Sequence, residues 1–271
     1  MQIQSGITHG KIYNGTALTH VYKFPFLQYN QAMERSTVKL QGFEVDTFNI
    51  DEALKFICQN RGVVVTINPE MIQCAKKMPE FAEIIHSANL VIPDGIGVEI
   101  GLKILGHNVR RIPGIEFAKR LITEFTKNSE PVAFIGAKPE IIEKAVQNLK
   151  SEYENLNICY QQDGYFKDDE RVLEELKSSG AKLVLVALGS PKQEFFINEA
   201  QKRLPEAVLI GIGGSFDVWS GVVKRAPVIY QKLGLEWLYR TVKEPKRLKR
   251  IFPTLPLFIL KVMEEKIFGE K

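Results

Sequence analysis

Six short apolar runs, each set apart from the next by a longer stretch of mixed polarity, constrain this chain more than any other feature. The runs are Val63–Ile67, Leu90–Ile92, Val132–Ile135, Leu156–Tyr160, Leu183–Leu188 and Val208–Ile212. Between them lie stretches of helical character: Ile96–Leu105, Glu116–Lys127, Pro139–Ser151, Asp168–Ser178 and Pro191–Leu204. Strands that are apolar throughout, rather than in alternation, must be buried on both faces. With helices between them they predict a mostly parallel sheet covered on both sides. The expectation is an α/β fold, a Rossmann-like domain over residues 38–227. In such sheets ligands sit in the crevice beyond the carboxyl ends of the strands, so the loops after each run are where chemistry belongs.

Beyond residue 227 the pattern changes to Leu, Trp, Lys and Arg, interrupted by Pro245, Pro253 and Pro256. Proline ends or kinks helices, so two or three short helices are expected over 228–271. The net charge of +4 is unevenly placed. Residues 224–271 hold 12 Lys/Arg against 5 Asp/Glu, whereas the first 223 hold 24 against 27. The basic surplus therefore belongs to the C-terminal segment and points to a local anionic partner: phosphate, a membrane surface or nucleic acid. Residues 1–37 show no clear period and read as an extension, loosely packed or disordered, with an added hairpin as the alternative.

The three cysteines share no C-x-x-C spacing, which fits reduced thiols. No stretch reaches the ~18 apolar residues of a bilayer span, and the first residues carry no secretory signal. The protein is expected to stay in the cytoplasm.

Each loop is ambiguous alone. Thr66-Ile67-Asn68-Pro69 is either a strand-to-helix turn with local capping or a pair of hydrogen-bonding groups for a sugar. Asp94, in Pro93-Asp94-Gly95-Ile96-Gly97, is either a base at a strand end or the cap of the next helix. Arg111 either grips a diphosphate or is solvated. The turns at Gly136 and Gly189, the latter followed by Gln193, offer backbone N–H groups and a helix start to phosphate. The run Gly211-Ile212-Gly213-Gly214-Ser215-Phe216-Asp217 departs from the dinucleotide fingerprint, because Phe216 stands where the third glycine belongs. It suits a nucleotide diphosphate better than NAD, and Arg225 adds positive charge nearby. No D-x-D motif occurs and the four histidines lack ligand spacing, so neither a metal nor a cofactor is expected.

The order of these loops is more telling than any one of them. T-x-N-P, P-D-G-x-G, R-x-P-G-x-E, G-x-P-K-Q-E, G-x-G-G-x-F-D, K-R-A-P and W-L-Y-R-x-x-x-E-P-x-R-x-x-R follow one another over about 38–260. The series resembles the WecG/TagA/CpsF family of bacterial glycosyltransferases, and Gly234–Arg250 is most similar to its teichoic-acid linkage members. The resemblance implies inverting, metal-independent transfer from a UDP-sugar to a polyprenyl-diphosphate-linked sugar such as undecaprenyl-diphosphate N-acetylglucosamine, at the inner membrane surface. N-acetylmannosamine is the donor sugar of the linkage members; N-acetylmannosaminuronic acid or a glucose-type sugar serves others.

By the same resemblance, Asp94 is the base, with Thr66 and Arg111 beside it. Asn68, Gly95, Gly136, Gly189, Gln193, Gly213, Gly214, Asp217 and Arg225 would face the donor. Arg240, Arg247 and Arg250 would hold the lipid diphosphate or leaving group. One departure is Glu116, where the family often has aspartate. An oxidoreductase conflicts with the broken fingerprint, and a nucleic-acid binder leaves the loop series unexplained. Self-association is left open.

Overall fold

The computed structural model describes residues 33–243 and 248–269. It opens on a hairpin, β1 (Thr37–Leu40) and β2 (Phe43–Asp46), followed by α1 (Ile50–Asn60). Six parallel strands follow: β3 (Gly62–Ile67), β4 (Leu90–Pro93), β5 (Val132–Gly136), β6 (Ile158–Gln162), β7 (Leu183–Ala187) and β8 (Val208–Gly211). They lie in the order β4-β3-β8-β7-β5-β6, every neighbouring pair parallel. The connecting helices are α2 (Pro69–Ala75), α3 (Pro79–His86), α4 (Ile96–Leu105), α5 (Gly114–Lys127), α6 (Pro139–Glu152), α7 (Asp169–Ser178), α8 (Lys192–Arg203) and α9 (Ser215–Trp219). The expected α/β, mostly parallel architecture is what the chain adopts.

Strand alternation divides the core. Val63, Val65 and Ile67 of β3 join Val184, Val186 and Leu209 in a buried cluster with Met71, Ile72, Phe81, Ile85 and Ile197 from α2, α3 and α8. Thr66, one residue out of phase, faces the other side, where α5 begins. A Cβ placed on Gly114 there would lie 3.1 Å from the Thr66 methyl.

The β4 edge is sealed by the hairpin. Asp46 is wholly buried. Its carboxylate accepts from the Val91 N–H at 2.7 Å and from Arg35 Nε at 2.8 Å and Nη2 at 3.0 Å. The hairpin turn puts Gln41 at φ 54° and Gly42 at φ 90°, the positive pair that a two-residue primed turn requires. Neither the hairpin nor α1 is among the elements that the apolar runs predict.

The C-terminal segment forms α10 (Val228–Lys232), α11 (Glu236–Lys243) and α12 (Leu248–Phe268). Among the described residues the count of helices agrees with expectation, but their lengths do not: α12 runs for 21 residues straight through Pro253 and Pro256. Its packing outweighs the hydrogen bonds that the prolines remove. Leu255, Phe258 and Val262 form one stripe of α12; Phe258 and Val262 are buried, and α12 packs on α4 and α2. Gly97 and Gly101 of α4 make room for it. A Cβ at Gly97 would sit 2.6 Å from Pro69 and 2.7 Å from Leu255, and one at Gly101 would sit 3.2 Å from Leu40 and Phe258. Among the described residues no helix is long and apolar enough to cross a membrane. The expected N-terminal extension falls almost wholly outside the described residues.

Candidate active site

Beyond the carboxyl ends of β3 and β4 lies a cavity of about 290 Å³. The core supplies Asn68, Pro69, Glu70, Asp94, Gly95, Ile96, Gly97 and Arg111 to its wall, and the C-terminal segment supplies Gly234, Glu236, Trp237, Thr254 and Leu255. Residues as far apart in the chain as Asn68 and Leu255 therefore close around one carboxylate.

Asp94 follows directly on β4, and its own N–H donates to the Ile67 carbonyl at 2.8 Å, which locks the two strand ends together. It does not cap α4: that helix has Gly95 at its N-cap, with no side-chain cap bond. The carboxyl instead meets the backbone N–H groups of Gly95 and Gly114. Gly114 opens α5, whose free amides and dipole favour negative charge at that point. Burial works the other way and dominates. Desolvation pushes the Asp94 pKa up to about 6, against the downward pull of Arg111 and the two amides; Glu236 adds a smaller upward push. A carboxyl poised near neutral pH in a cleft is suited to taking a proton.

Arg111 reaches this cavity from the loop before α5. Its guanidinium donates to the Gln231 carbonyl and lies 3.8 Å from Glu99, so it ties the C-terminal segment to the core while facing Asp94. Arg225 makes a second tie. It pairs with Glu116 at 2.7 Å and with Glu236 at 3.1 Å, bridging the start of α5 to α11. Glu116, the one departure from the family pattern, thus still carries the carboxylate that Arg225 needs.

The remaining expected site residues divide. Asn68 lines the cavity and also caps α2, accepting from the Met71 N–H at 3.0 Å. Thr66 sits behind the cavity, beneath Gly114, rather than on its wall. Gly136 at the end of β5, Gly189 and Gln193 after β7, and Gly213, Gly214 and Asp217 after β8 lie along the same sheet edge, and none lines this cavity.

Gln193 is buried and largely spoken for. Its Oε1 accepts from Gly213 N–H at 3.2 Å and its Nε2 donates to Glu194 at 2.8 Å. A Cβ at Gly211 would come within 2.5 Å of that Nε2. Glu194 is also buried, and desolvation raises its pKa. Arg240 falls on α11 and Arg250 on α12, while Arg247 lies outside the described residues. Among the described residues no cluster of three or more His, Cys, Asp or Glu is gathered as for a metal.

Sequence reasoning missed Glu236, Trp237, Thr254 and Leu255. The first two lie in the G-x-E-W-L-Y-R stretch already singled out. The last two carry no local signal, since only the docking of α12 on Gly97 brings them here.

A parallel sheet with a pKa-shifted carboxyl, an arginine and a helix start converging at its strand ends is the equipment of a group-transfer enzyme. Residues 38–271 match the Glycosyl transferase WecG/TagA/CpsF family, and the chain belongs to it: it is a glycosyltransferase. It is similar to an N-acetylglucosaminyldiphosphoundecaprenol N-acetyl-beta-D-mannosaminyltransferase of Bacillus spizizenii, with 36% identity over 211 residues, 77% of this chain and 82% of the relative.

Proposed function

We propose that the chain transfers N-acetylmannosamine from a UDP-sugar to N-acetylglucosaminyl-diphosphoundecaprenol, an early step in building a teichoic-acid linkage unit. The observation that carries this reading is the half-buried Asp94 carboxyl with its raised pKa, in a cavity completed by the C-terminal helices of a chain akin to an enzyme named for that transfer. The relative's name specifies a β-linked product. From an α-linked nucleotide sugar that product requires inversion, hence a single displacement with one base.

Asp94 takes the proton of the acceptor hydroxyl as that oxygen bonds to the anomeric carbon. The bond from that carbon to the UDP oxygen breaks, and UDP departs with the electron pair. Arg111 and the amides at the start of α5 offer positive potential inside the cavity. Arg240 and Arg250 stand on the two helices that line it, α11 through Trp237 and α12 through Leu255. We assign them, with Arg247 between them in sequence, to the acceptor's diphosphate. The glycine loops after β5, β7 and β8, with Gln193, Gly213, Gly214 and Asp217, extend the sheet edge along which a nucleotide lies.

The segment 228–271 would rest on the inner face of the membrane, where the acceptor resides. Val228, Ile229, Leu233 and Val242 are exposed, as are Leu257, Leu260, Met263 and Ile267 along the outer stripe of α12. With the basic surplus of this segment, such a surface suits anionic lipid, each Lys/Arg contributing about 1 kcal/mol near the headgroups.

The test supplies the purified protein with a short-chain prenyl-diphosphate N-acetylglucosamine and several UDP-sugars, and follows UDP release. Release with UDP-N-acetylmannosamine alone supports the reading. Preference for a hexuronate or glucose-type donor would move the enzyme to another polymer, and no release with any donor would overturn it.

A further inference from the structure

The outer stripe of α12 (Leu257, Leu260, Met263, Ile267) is as apolar as the inner one (Leu255, Phe258, Val262). Hydrophobic burial alone therefore does not select which stripe faces the core. A helix with two apolar faces needs a polar contact that only one rotation satisfies, much as one buried polar residue sets the register of a coiled coil.

Such a contact exists at the far end of the helix. Gln41, at the tip of the β1–β2 turn, is 7% exposed. Its backbone N–H donates to both Glu265 carboxylate oxygens, at 3.2 and 3.0 Å. Its side-chain Nε2 donates to Glu265 Oε2 at 2.7 Å and to the Lys261 carbonyl at 3.0 Å. Its Oε1 accepts from Lys76, at the end of α2, at 2.6 Å. Every polar group of the Gln41 side chain is thus committed to fixing α12 against the hairpin and α2. The residue does this from φ 54°, a backbone setting in which glycine, asparagine or aspartate is usual. None of those has a side chain long enough to replace the glutamine's reach.

We infer that Gln41 is a positioning residue for glycosyl transfer: it sets the rotation of α12 and thereby holds Thr254 and Leu255 on the wall of the Asp94 cavity. Glu265 lies ten residues along the helix from Leu255, about 15 Å at 1.5 Å per residue. A second tie near the cavity, Gln73 Nε2 to the Thr254 carbonyl at 2.8 Å, depends on the same rotation. The inference rests on the reading of that cavity as the transfer site.

Gln41→Glu keeps the shape and sets a carboxylate against Glu265. Gln41→Glu with Glu265→Gln restores a donor opposite an acceptor. Both are compared with the full-length wild type for kcat and KM of transfer and for amide exchange of residues 254–268, with exchange in β3 and β8 as the check on folding. The single variant is expected to lose about tenfold to a hundredfold in kcat/KM. Exchange should quicken in α12 while the central strands stay protected. The double variant should recover to within about threefold of wild type on both readouts.

Unchanged turnover in Gln41→Glu despite faster α12 exchange overturns the inference, as does failure of the double variant to recover. Asp94→Asn, assayed alongside, separates the two readings. If Asp94→Asn is inactive and Gln41→Glu is not impaired, only the Gln41 role fails. If Asp94→Asn stays active, the base assignment fails, and Gln41 is still judged on its own kcat/KM and exchange.

Discussion

The two halves of one sheet edge use their polar groups in opposite ways. After β7 and β8, the glycine turns and Gln193 bond to each other: Gly213 N–H donates to the Gln193 side chain, the Gln193 N–H donates to the Gly189 carbonyl at 2.9 Å, and Gly211 leaves space for the side-chain amide. After β3 and β4, Asp94 is held half-buried with its pKa raised, facing an open cavity beside Arg111 and Glu236. Both halves are strand-to-helix loops of the same kind. The first commits the Gln193 amide to the fold and leaves only Glu194 Oε2 buried without a partner, among these groups, while the second leaves a carboxyl facing the cavity. A raised carboxyl alone does not separate the halves, since burial raises Glu194 as well; Asp94 differs in facing the cavity.

That contrast is most exposed to Asp94→Asn. Removing the base is expected to cost about 10²–10⁴ in kcat. Because the folded-state pKa lies above the ordinary carboxylate value, the neutral form stabilises the fold fully below pH ~4, and that contribution is lost as pH rises through about 6. Asparagine, never charged, should therefore raise the melting temperature at pH 8 by the equivalent of 2–3 kcal/mol, a value that follows from ~1.4 kcal/mol per pKa unit. The gain should vanish near pH 4. A variant that loses both activity and stability would show Asp94 to be a structural acid.

The opposite half makes the opposite prediction. Gln193→Ala should lower stability by about 1–3 kcal/mol, since it strands Glu194 and the Gly213 amide in a buried site. Its activity loss should be smaller than that of Asp94→Asn. If instead the melting point holds while KM for the nucleotide sugar climbs, the Gln193 side faces ligand as well. A pH profile narrows the question further: kcat/KM of the wild type should rise about tenfold per pH unit up to about 6 and then level off.

Two smaller effects test how the appendage completes the cavity. Gly97→Val overpacks the contact with Pro69 and Leu255 and should cost about 1–3 kcal/mol, with turnover falling as α12 is pushed away. Arg225→Gln breaks a partly exposed pair and should cost at most about 1 kcal/mol of stability. It should nonetheless reduce turnover by freeing Glu236 and α11. Equal, small effects of both changes on turnover would mean that the C-terminal helices need no fixed position.

The strands were legible because six buried, continuous apolar runs admit little else; five of the six begin within one residue of their expected starts. The sixth, β6, starts two residues late, because Leu156 packs before the strand while Ile158–Gln162 form a half-exposed edge. The β1–β2 hairpin escaped notice because its fixing groups, Asp46 and Gln41, are polar residues buried by partners far along the chain. The long α12 escaped for the complementary reason: local proline chemistry argues for a break, and only the glycine face of α4 outweighs it. Asp94 was readable as a choice between cap and base; the structure removes the cap of α4, because the first amide of α5 meets the carboxyl from twenty positions away, and the base role stays the proposal.

The carboxylate of Asp46 has a consequence beyond holding the hairpin. The outer edge of a parallel sheet offers a row of free amides that invite another chain to add a strand. At β4 the Val91 amide is already occupied by that buried acid, and the hairpin lies against the strand. A protein that concentrates on a two-dimensional surface meets its own copies far more often than one free in bulk. Closing this edge from within would allow such crowding on the proposed membrane surface without polymerisation, and loss of Asp46 is expected to show itself first as aggregation at high protein concentration.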